Sequence, residues 1–169
     1  SVIGYQLSVS IVLLMITCLT ARAQSVNQLI RKGNNEYQKE NYTDAEAAYK
    51  KALSKNKNSA TGLFNLGNSL YAQKRYDDAN QQYEASIKLS KDSAAKEQAN
   101  YNIGNAHMEK KDWEKSIASY KNSLLLNPQD EDARYNLAYA QEMLKKNKSQ
   151  QNKNNKNKNQ NKQNKDQNK

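Results

Sequence analysis

The side chains that could do chemistry in this sequence are mostly amides that recur at a fixed spacing. An Asn follows directly after Gly33, Gly67 and Gly104, and another Asn stands two residues before the second and the third of these glycines. A primary amide carries both a donor and an acceptor, so a row of them is suited to bonding a peptide backbone whatever its sequence. The amides concerned are Asn34, Asn65, Asn68, Asn102, Asn105 and, near the C-terminal end, Asn136.

Aromatic residues accompany this row of amides. Phe64 and Tyr101 stand three positions before the second and third glycines, Tyr135 stands three positions before Ala138, and Tyr139 takes the place of the following Asn. Two interpretations stay open: a surface that binds a partner, or repeat positions that bond neighbouring helices. The predicted binding residues are Asn34, Phe64, Asn65, Asn68, Tyr101, Asn102, Asn105, Tyr135, Asn136 and Tyr139.

Residues for catalysis or metal binding are sparse. His107 is the only histidine and Cys18 the only cysteine, so a disulfide within the chain and a cysteine-built metal site are excluded. No second titratable group recurs with His107, which is predicted to be a partly buried structural residue. The acid pair Asp77-Asp78 and Asp112 fall at predicted turns and are typical of charges at helix N-termini. We therefore predict no enzyme, no metal and no cofactor.

The spacing of the glycines predicts the elements that hold these side chains. Gly33, Gly67, Gly104 and Ala138 are separated by 34, 37 and 34 residues, and each glycine is followed by an aromatic, a small, an aromatic and a small residue at matching offsets. Small residues let two helices approach closely and aromatic rings fill the space beside them. Each unit is therefore predicted to be a helical hairpin, with the glycine on helix A and the small–Tyr–small stripe on helix B. The helix B tyrosines Tyr49, Tyr83 and Tyr120 are predicted core residues.

This pattern resembles the tetratricopeptide repeat (TPR), a helix–turn–helix unit of about 34 residues with Leu-Gly, Tyr, Ala, Phe or Tyr and Pro at set offsets. The resemblance implies an all-α fold, a right-handed superhelical α-solenoid of three TPR helix hairpins plus a C-terminal capping helix. The domain is predicted over 24–146, and the three extra residues between the second and third units should lengthen a loop or helix A of the third. The predicted repeats span 26–59, 60–93 and 97–130, and the capping helix spans 131–146.

In the TPR family, helix A residues line a concave groove that binds an extended peptide or a partner's helix. The resemblance therefore implies that the ten residues above lie in such a groove. Some members hold a C-terminal carboxylate with a Lys/Asn/Arg clamp on these helices. Here Ile30, Gln98 and Asn102 stand where the cations would be, so a clamp for a carboxylate is not expected.

The two ends of the chain differ in composition from the repeats. Residues 1–23 hold an apolar run, VSIVLLMITCL, followed by Ala-Arg-Ala, and are predicted to be a signal peptide or an N-terminal anchor. Residues 147–169 consist of Asn, Lys and Gln with few other residues and are predicted to be a disordered tail. Between Lys145 and Lys169 there are nine Lys and one Asp, which places +8 of the net charge of +10 in this segment.

The combination of these parts resembles the BatC-type TPR proteins of bacterial aerotolerance (Bat) operons. That resemblance implies a non-enzymatic scaffold, exported to the periplasm or the membrane-associated cell envelope, whose partner is a protein or peptide such as a von Willebrand A-domain membrane protein. A second hypothesis is a polycationic tail that binds anionic envelope surfaces, with the repeats as a spacer or self-association module. No specific nucleic acid is expected, because the tail lacks aromatic residues and Arg. No small-molecule substrate is expected either.

Overall fold

The chain is folded entirely into helices in the part that a computed structural model describes, residues 24–166, with side chains to Gln151. The predicted signal peptide and anchor, and Cys18 within it, lie outside the described residues. No strand occurs among residues 24–166, and no helix there is long and apolar enough to cross a membrane. The helices are α1 (Val26–Gln38), α2 (Tyr42–Lys55), α3 (Ala60–Ala72), α4 (Tyr76–Leu89), α5 (Ser93–Glu109), α6 (Trp113–Leu126) and α7 (Glu131–Asp166).

Three hairpins and a capping helix follow one another along the chain, which confirms the predicted all-α solenoid. Helices α1, α3 and α5 are the three A helices, and each packs against the B helix that follows it. The B helices begin at Tyr42, Tyr76 and Trp113, directly after the predicted turns. The extra residues of the third unit extend its A helix, because α5 has 17 residues whereas α1 and α3 have 13 each.

The turn inside each hairpin has the same backbone path. Glu40, Lys74 and Lys111 adopt positive φ values of 61°, 61° and 59°, the left-handed conformation that often ends a helix. In the first hairpin the Asn41 amide donates to the Glu36 carbonyl at 2.9 Å, and the Glu40 amide donates to the Tyr37 carbonyl at 2.9 Å. These two bonds satisfy carbonyls at the end of helix A and direct the chain back along it as helix B.

The core of each hairpin is a tyrosine ring that lies flat against a helical glycine. Tyr49, Tyr83 and Tyr120 are 2%, 1% and 0% exposed, as predicted. A Cβ atom placed on Gly67 or Gly104 would lie 2.6 Å from the nearest ring atom of its tyrosine, which is closer than real Cβ contacts come. Glycine is therefore required because the ring occupies the space of a side chain.

The contacts between repeats, called seams here, differ from one to the next. At the first seam, the buried Glu46 of α2 accepts hydrogen bonds from Gln73 at 2.9 Å and from Arg75 at 3.0 Å. At the second seam, the buried Asn80 of α4 has its Nδ2 atom 3.3 Å from Nε2 of His107 on α5. The first seam thus has an ion pair on a buried carboxylate, whereas the second has a buried amide–imidazole pair and an ion pair between the more exposed Lys110 and Asp77.

The capping helix is longer than predicted. α7 starts at Glu131, where the Asp130 side chain accepts from the Ala133 amide at 3.0 Å, and it continues to Asp166 rather than ending at 146. Residues 147–166, which belong to the predicted disordered tail, continue this helix. Lys and Gln are good helix formers, so helical hydrogen bonding can continue where apolar residues for packing are absent. The last tertiary contact described is an ion pair between Lys148 and Glu114 at 3.1 Å.

Candidate functional site

The asparagine that follows each glycine bonds the core tyrosine of its own hairpin. The Tyr49 hydroxyl donates to Asn34 Oδ1 at 2.8 Å, and the Tyr83 hydroxyl donates to Asn68 Oδ1 at 2.8 Å. In the third hairpin the corresponding bond, from Tyr120 to Asn105, is 2.6 Å long. A buried phenol needs such a partner, so the first role of these amides is to satisfy the tyrosines of the core.

The asparagine two residues before the second and the third glycine donates a hydrogen bond to the preceding repeat. Asn65 Nδ2 donates to Asn34 Oδ1 at 2.9 Å, and Asn102 Nδ2 donates to Asn68 Oδ1 at 3.1 Å. On the capping helix, Asn136 Nδ2 donates instead to the Tyr101 hydroxyl at 3.0 Å. The amides lie in a row along the A helices, and two amide–amide bonds, Asn65 to Asn34 and Asn102 to Asn68, link neighbouring A helices. The interpretation of these residues as repeat positions that bond neighbouring helices describes these contacts.

Each amide in this row also has one polar atom that bonds no protein group in the described part of the chain. Among the residues that the structure describes, no protein group bonds Nδ2 of Asn34, Asn68 or Asn105. Within that part of the chain, Oδ1 of Asn65, Asn102 and Asn136 likewise has no protein partner. Because the inner bonds fix the orientation of each amide, these atoms form rows of donors and acceptors on half-exposed side chains.

The predicted aromatic residues divide into two groups. Phe64 and Tyr101 are half-buried and lie against the core tyrosines, with ring centroids 5.7 Å apart in each pair. Tyr135 and Tyr139 on the capping helix are 73% and 44% exposed. The capping helix has no B helix beside it among residues 24–166, which leaves these two rings open to a ligand.

Further residues of this surface were not identified from the sequence. Tyr71, Met108 and Glu109 lie one helical turn beyond the asparagines and border the same face, where they line a cavity of 290 Å³ with Tyr135 and Tyr139. The signal was available, because residues at i and i+3 or i+4 share a helix face. Burial and the nearby Glu109 carboxylate raise the pKa of Tyr71 to about 12.

His107 lies outside this surface and has no catalytic neighbourhood. Its side chain is 13% exposed, and its Nδ1 atom stands 3.9 Å from an Asp112 oxygen. Burial lowers its pKa, so the ring is neutral at neutral pH and accepts from the Asn80 amide. In the described part of the chain no group of three His, Cys, Asp or Glu side chains could hold a metal ion.

Two family models match the chain, one for the tetratricopeptide repeat over residues 30–94 and one for the TPR repeat over residues 104–145. The chain is therefore a TPR protein, a class of interaction scaffolds rather than of enzymes. None of the curated proteins matches it.

Solved structures of TPR domains have the same fold. The TPR2AB domain of yeast Sti1, in a complex with pHSP90, gives a TM-score of 0.67 at 24% identity over 74% of this chain and 49% of that one. The first TPR domain of human RPAP3 gives 0.66 at 19% identity over 73% and 95%. The first TPR of Spaghetti (RPAP3), bound to the HSP90 peptide SRMEEVD, gives 0.66 at 20% identity over 72% and 94%. At these identities the likeness establishes the fold.

Proposed function

We propose that this protein is a non-enzymatic scaffold that binds a partner protein or peptide on the face of its A helices. The observation that supports the proposal is that the Nδ2 donors of Asn34, Asn68 and Asn105 have no partner among the described residues. Inner bonds to the core tyrosines hold these amides in place, so little side-chain freedom is lost when a partner's backbone bonds to them. The relatives in complex with HSP90 or its peptide support binding of this general kind.

The setting that we propose is a membrane-associated complex of the cell envelope of the Bat aerotolerance type. The support is the apolar segment before Gln24, with its Ala-Arg-Ala ending, and the resemblance to BatC-type proteins. In this proposal the protein is exported to the periplasm, and its partner is a von Willebrand A-domain membrane protein.

The test distinguishes the effect of the free Nδ2 donors on partner binding from the effect of the hydrogen bonds between the amides and the core tyrosines. Asn68→Asp and Asn105→Asp keep an oxygen that accepts from Tyr83 and Tyr120, but replace the outward Nδ2 donor with a second acceptor. Tyr83→Phe is the matched control, because it removes an inner bond and leaves the outward donors present. The measurement is affinity purification of each variant from a solubilised envelope fraction in moderate salt, with helicity and thermal stability compared.

We expect the doubly substituted protein to lose a discrete partner that the wild type and Tyr83→Phe both capture. Capture of the same partner by all three proteins would contradict the proposal, since the outward donors would then contribute nothing. Loss of the partner only in Tyr83→Phe would also contradict it, because stability rather than the donors would control binding.

A second candidate function rests on the charge of the C-terminal segment. The +8 carried by 145–169 attracts anionic lipid headgroups and wall polymers, and that attraction weakens as salt rises. A chain that ends at Gln151 retains the Lys148–Glu114 ion pair, so it removes lysines without disturbing the described contacts. If this truncation, or raised salt, abolishes envelope association while the Asn68→Asp and Asn105→Asp protein still associates, the second function replaces the first.

A further inference from the structure

A cavity at the C-terminal end of the A-helix face has a composition unlike the rest of that face. It is bordered by the rings of Tyr71, Tyr135 and Tyr139, by the Met108 side chain and by the Glu109 carboxylate. Glu109 is the one charged residue in its lining. The uncharged polar residues of the lining are Asn105, Asn136 and the four tyrosines.

The charge of Glu109 is not neutralised by the protein around it. Among residues 24–151, the ion pairs do not include Glu109. Its closest described polar contact is the Tyr76 hydroxyl, which donates to Oε2 at 3.5 Å. Burial and, after it, the Glu109 carboxylate raise the pKa of both Tyr71 and Tyr76, which stand beside that carboxylate.

Aromatic rings and a carboxylate attract the same kind of ligand. The faces of tyrosine rings carry negative charge density and hold cations placed within about 6 Å of the ring centre. A cavity of 290 Å³ is large enough for the end of a Lys or Arg side chain, and the thioether of Met108 packs well against an alkyl stem. An acidic side chain would instead meet Glu109 with no cation to offset it.

We propose that this cavity binds the side chain of a lysine or arginine in the partner, so that the partner's segment is basic at this position. The proposal rests on the proposed function and names the chemistry of its ligand. The ammonium or guanidinium group pairs with Glu109, while its alkyl stem lies across Tyr71, Tyr135 and Tyr139. This preference is opposite in sign to the HSP90 peptide SRMEEVD that the Spaghetti (RPAP3) domain holds.

The probe that tests this proposal is Nα-acetyl-lysine amide, compared with Nα-acetyl-norleucine amide, which lacks the charge. Each is titrated into the full chain while the ring signals of the tyrosines are followed by NMR. We expect the lysine compound to shift the signals of Tyr71, Tyr135 and Tyr139 with saturation, at millimolar or weaker affinity, and to bind about three- to tenfold more tightly than the norleucine compound.

Two variants locate the charge that is responsible. Glu109→Gln should weaken binding of the lysine compound by about two- to fivefold. Glu84→Gln, a matched change on α4 beside a different cavity, should leave it unchanged. Equal binding of both compounds, no saturable shift, or an unchanged affinity in Glu109→Gln would each overturn the proposal.

A second copy of this chain is the other source of lysine, through its own C-terminal segment. Light scattering that shows a dimer in the wild type and a monomer in Glu109→Gln would overturn the assignment to a separate partner. Because the NMR experiment needs no partner, its failure leaves the capture experiment on Asn68 and Asn105 intact. The NMR result can likewise be interpreted if the capture experiment fails.

Discussion

The three hairpins and the capping helix contain the same helix A pattern, but among residues 24–166 only the hairpins have a helix B packed on it. Where helix B is present, the pattern reads Gly-Asn, and a tyrosine ring covers the glycine and bonds the asparagine. On α7 the same two positions hold Ala138 and Tyr139, which are both exposed. The tyrosine of helix B thus accounts for Gly and Asn at these two positions. Where that tyrosine is absent, other residues occupy them.

This difference also explains where a ligand has most access. In the hairpins the Oδ1 atoms of Asn34 and Asn68 each accept two hydrogen bonds within the protein, and only their Nδ2 atoms remain. On the capping helix the rings of Tyr135 and Tyr139 are not used for packing. The hairpins therefore supply a rigid row of amides, and the capping helix supplies free aromatic surface.

High pH should unfold the hairpins because it ionises their core tyrosines, and this is the largest effect we expect. Burial raises the pKa of Tyr49 to about 12 and raises the pKa of Tyr83 and Tyr120 as well. The unfolded chain ionises near pH 10, so the stabilisation is complete below that pH and is lost as the pH rises towards the folded-state pKa. Far-ultraviolet circular dichroism and absorbance at the tyrosinate band should show unfolding together with a delayed ionisation step between about pH 10 and 12.

The delayed step should become smaller in Tyr83→Phe, because that variant lacks one of the buried phenols. Ionisation of all tyrosines in one early step, before any loss of helix, would contradict the assignment of the core.

Gly67→Ala tests the close approach of ring and helix. The new methyl group would stand 2.6 Å from the Tyr83 ring, so the ring or the helix must move, and overpacking of this kind costs about 1–3 kcal/mol. The better helix propensity of Ala offsets up to about 1 kcal/mol. We expect a net loss of about 2 kcal/mol in the free energy of unfolding by urea denaturation.

The reverse change on the capping helix provides the comparison. Ala138→Gly relieves no contact and should destabilise by at most about 1 kcal/mol, which is the propensity difference alone. A stabilising Gly67→Ala would show that the tyrosine ring is not seated on the glycine.

Tyr83→Phe and Tyr139→Phe compare a hydroxyl that is hydrogen-bonded to an amide of the row with the hydroxyl of an exposed ring. The Tyr83 hydroxyl donates to Asn68, and its removal should lower the free energy of unfolding by about 1 kcal/mol. Tyr139→Phe should change it by no more than about 0.5 kcal/mol, because that ring is exposed. Equal effects in thermal denaturation would mean that the bond to Asn68 contributes nothing to stability.

Lys74→Gly concerns the hairpin turn, a feature that the capping helix lacks, and has the smallest expected effect. Lys74 adopts a φ of 61°, a conformation that glycine adopts without steric strain. We expect stabilisation of about 0.5 kcal/mol, measured as a rise in the midpoint of urea denaturation. Lys57→Gly, in the loop between α2 and α3, is the control with a negative φ and should give no stabilisation.

The fold was predictable because its determinants repeat. The repeated glycines and tyrosines indicated the hairpins and close packing between helix A and helix B. In the structure each of these glycines contacts the tyrosine of its own hairpin. The course of the chain after Leu144 was not predictable in the same way. Composition shows that no apolar residue is available for packing there, yet the helix continues to Asp166.

The candidate site was only partly predictable. The sequence located the amides on one helix face, but two roles remained open because recurrence fits both. Only coordinates show that Asn34 and Asn68 turn their oxygens inward to a tyrosine and keep their nitrogens outward. Glu109 was missed because it has no equivalent in the other repeats, where Gln38 and Ala72 stand in its place.

The buried imidazole of His107 should make the second seam more sensitive to mild acid than the first. His107 is neutral when folded, so the unfolded chain takes up its proton first, and stability falls as the pH drops below about 6.5. Hydrogen bonds from Lys50, Gln73 and Arg75 outweigh the effect of burial and lower the pKa of Glu46, so the first seam keeps its ion pair there. Amide hydrogen exchange near pH 5 would then be shared across the first two repeats and faster beyond Asn80.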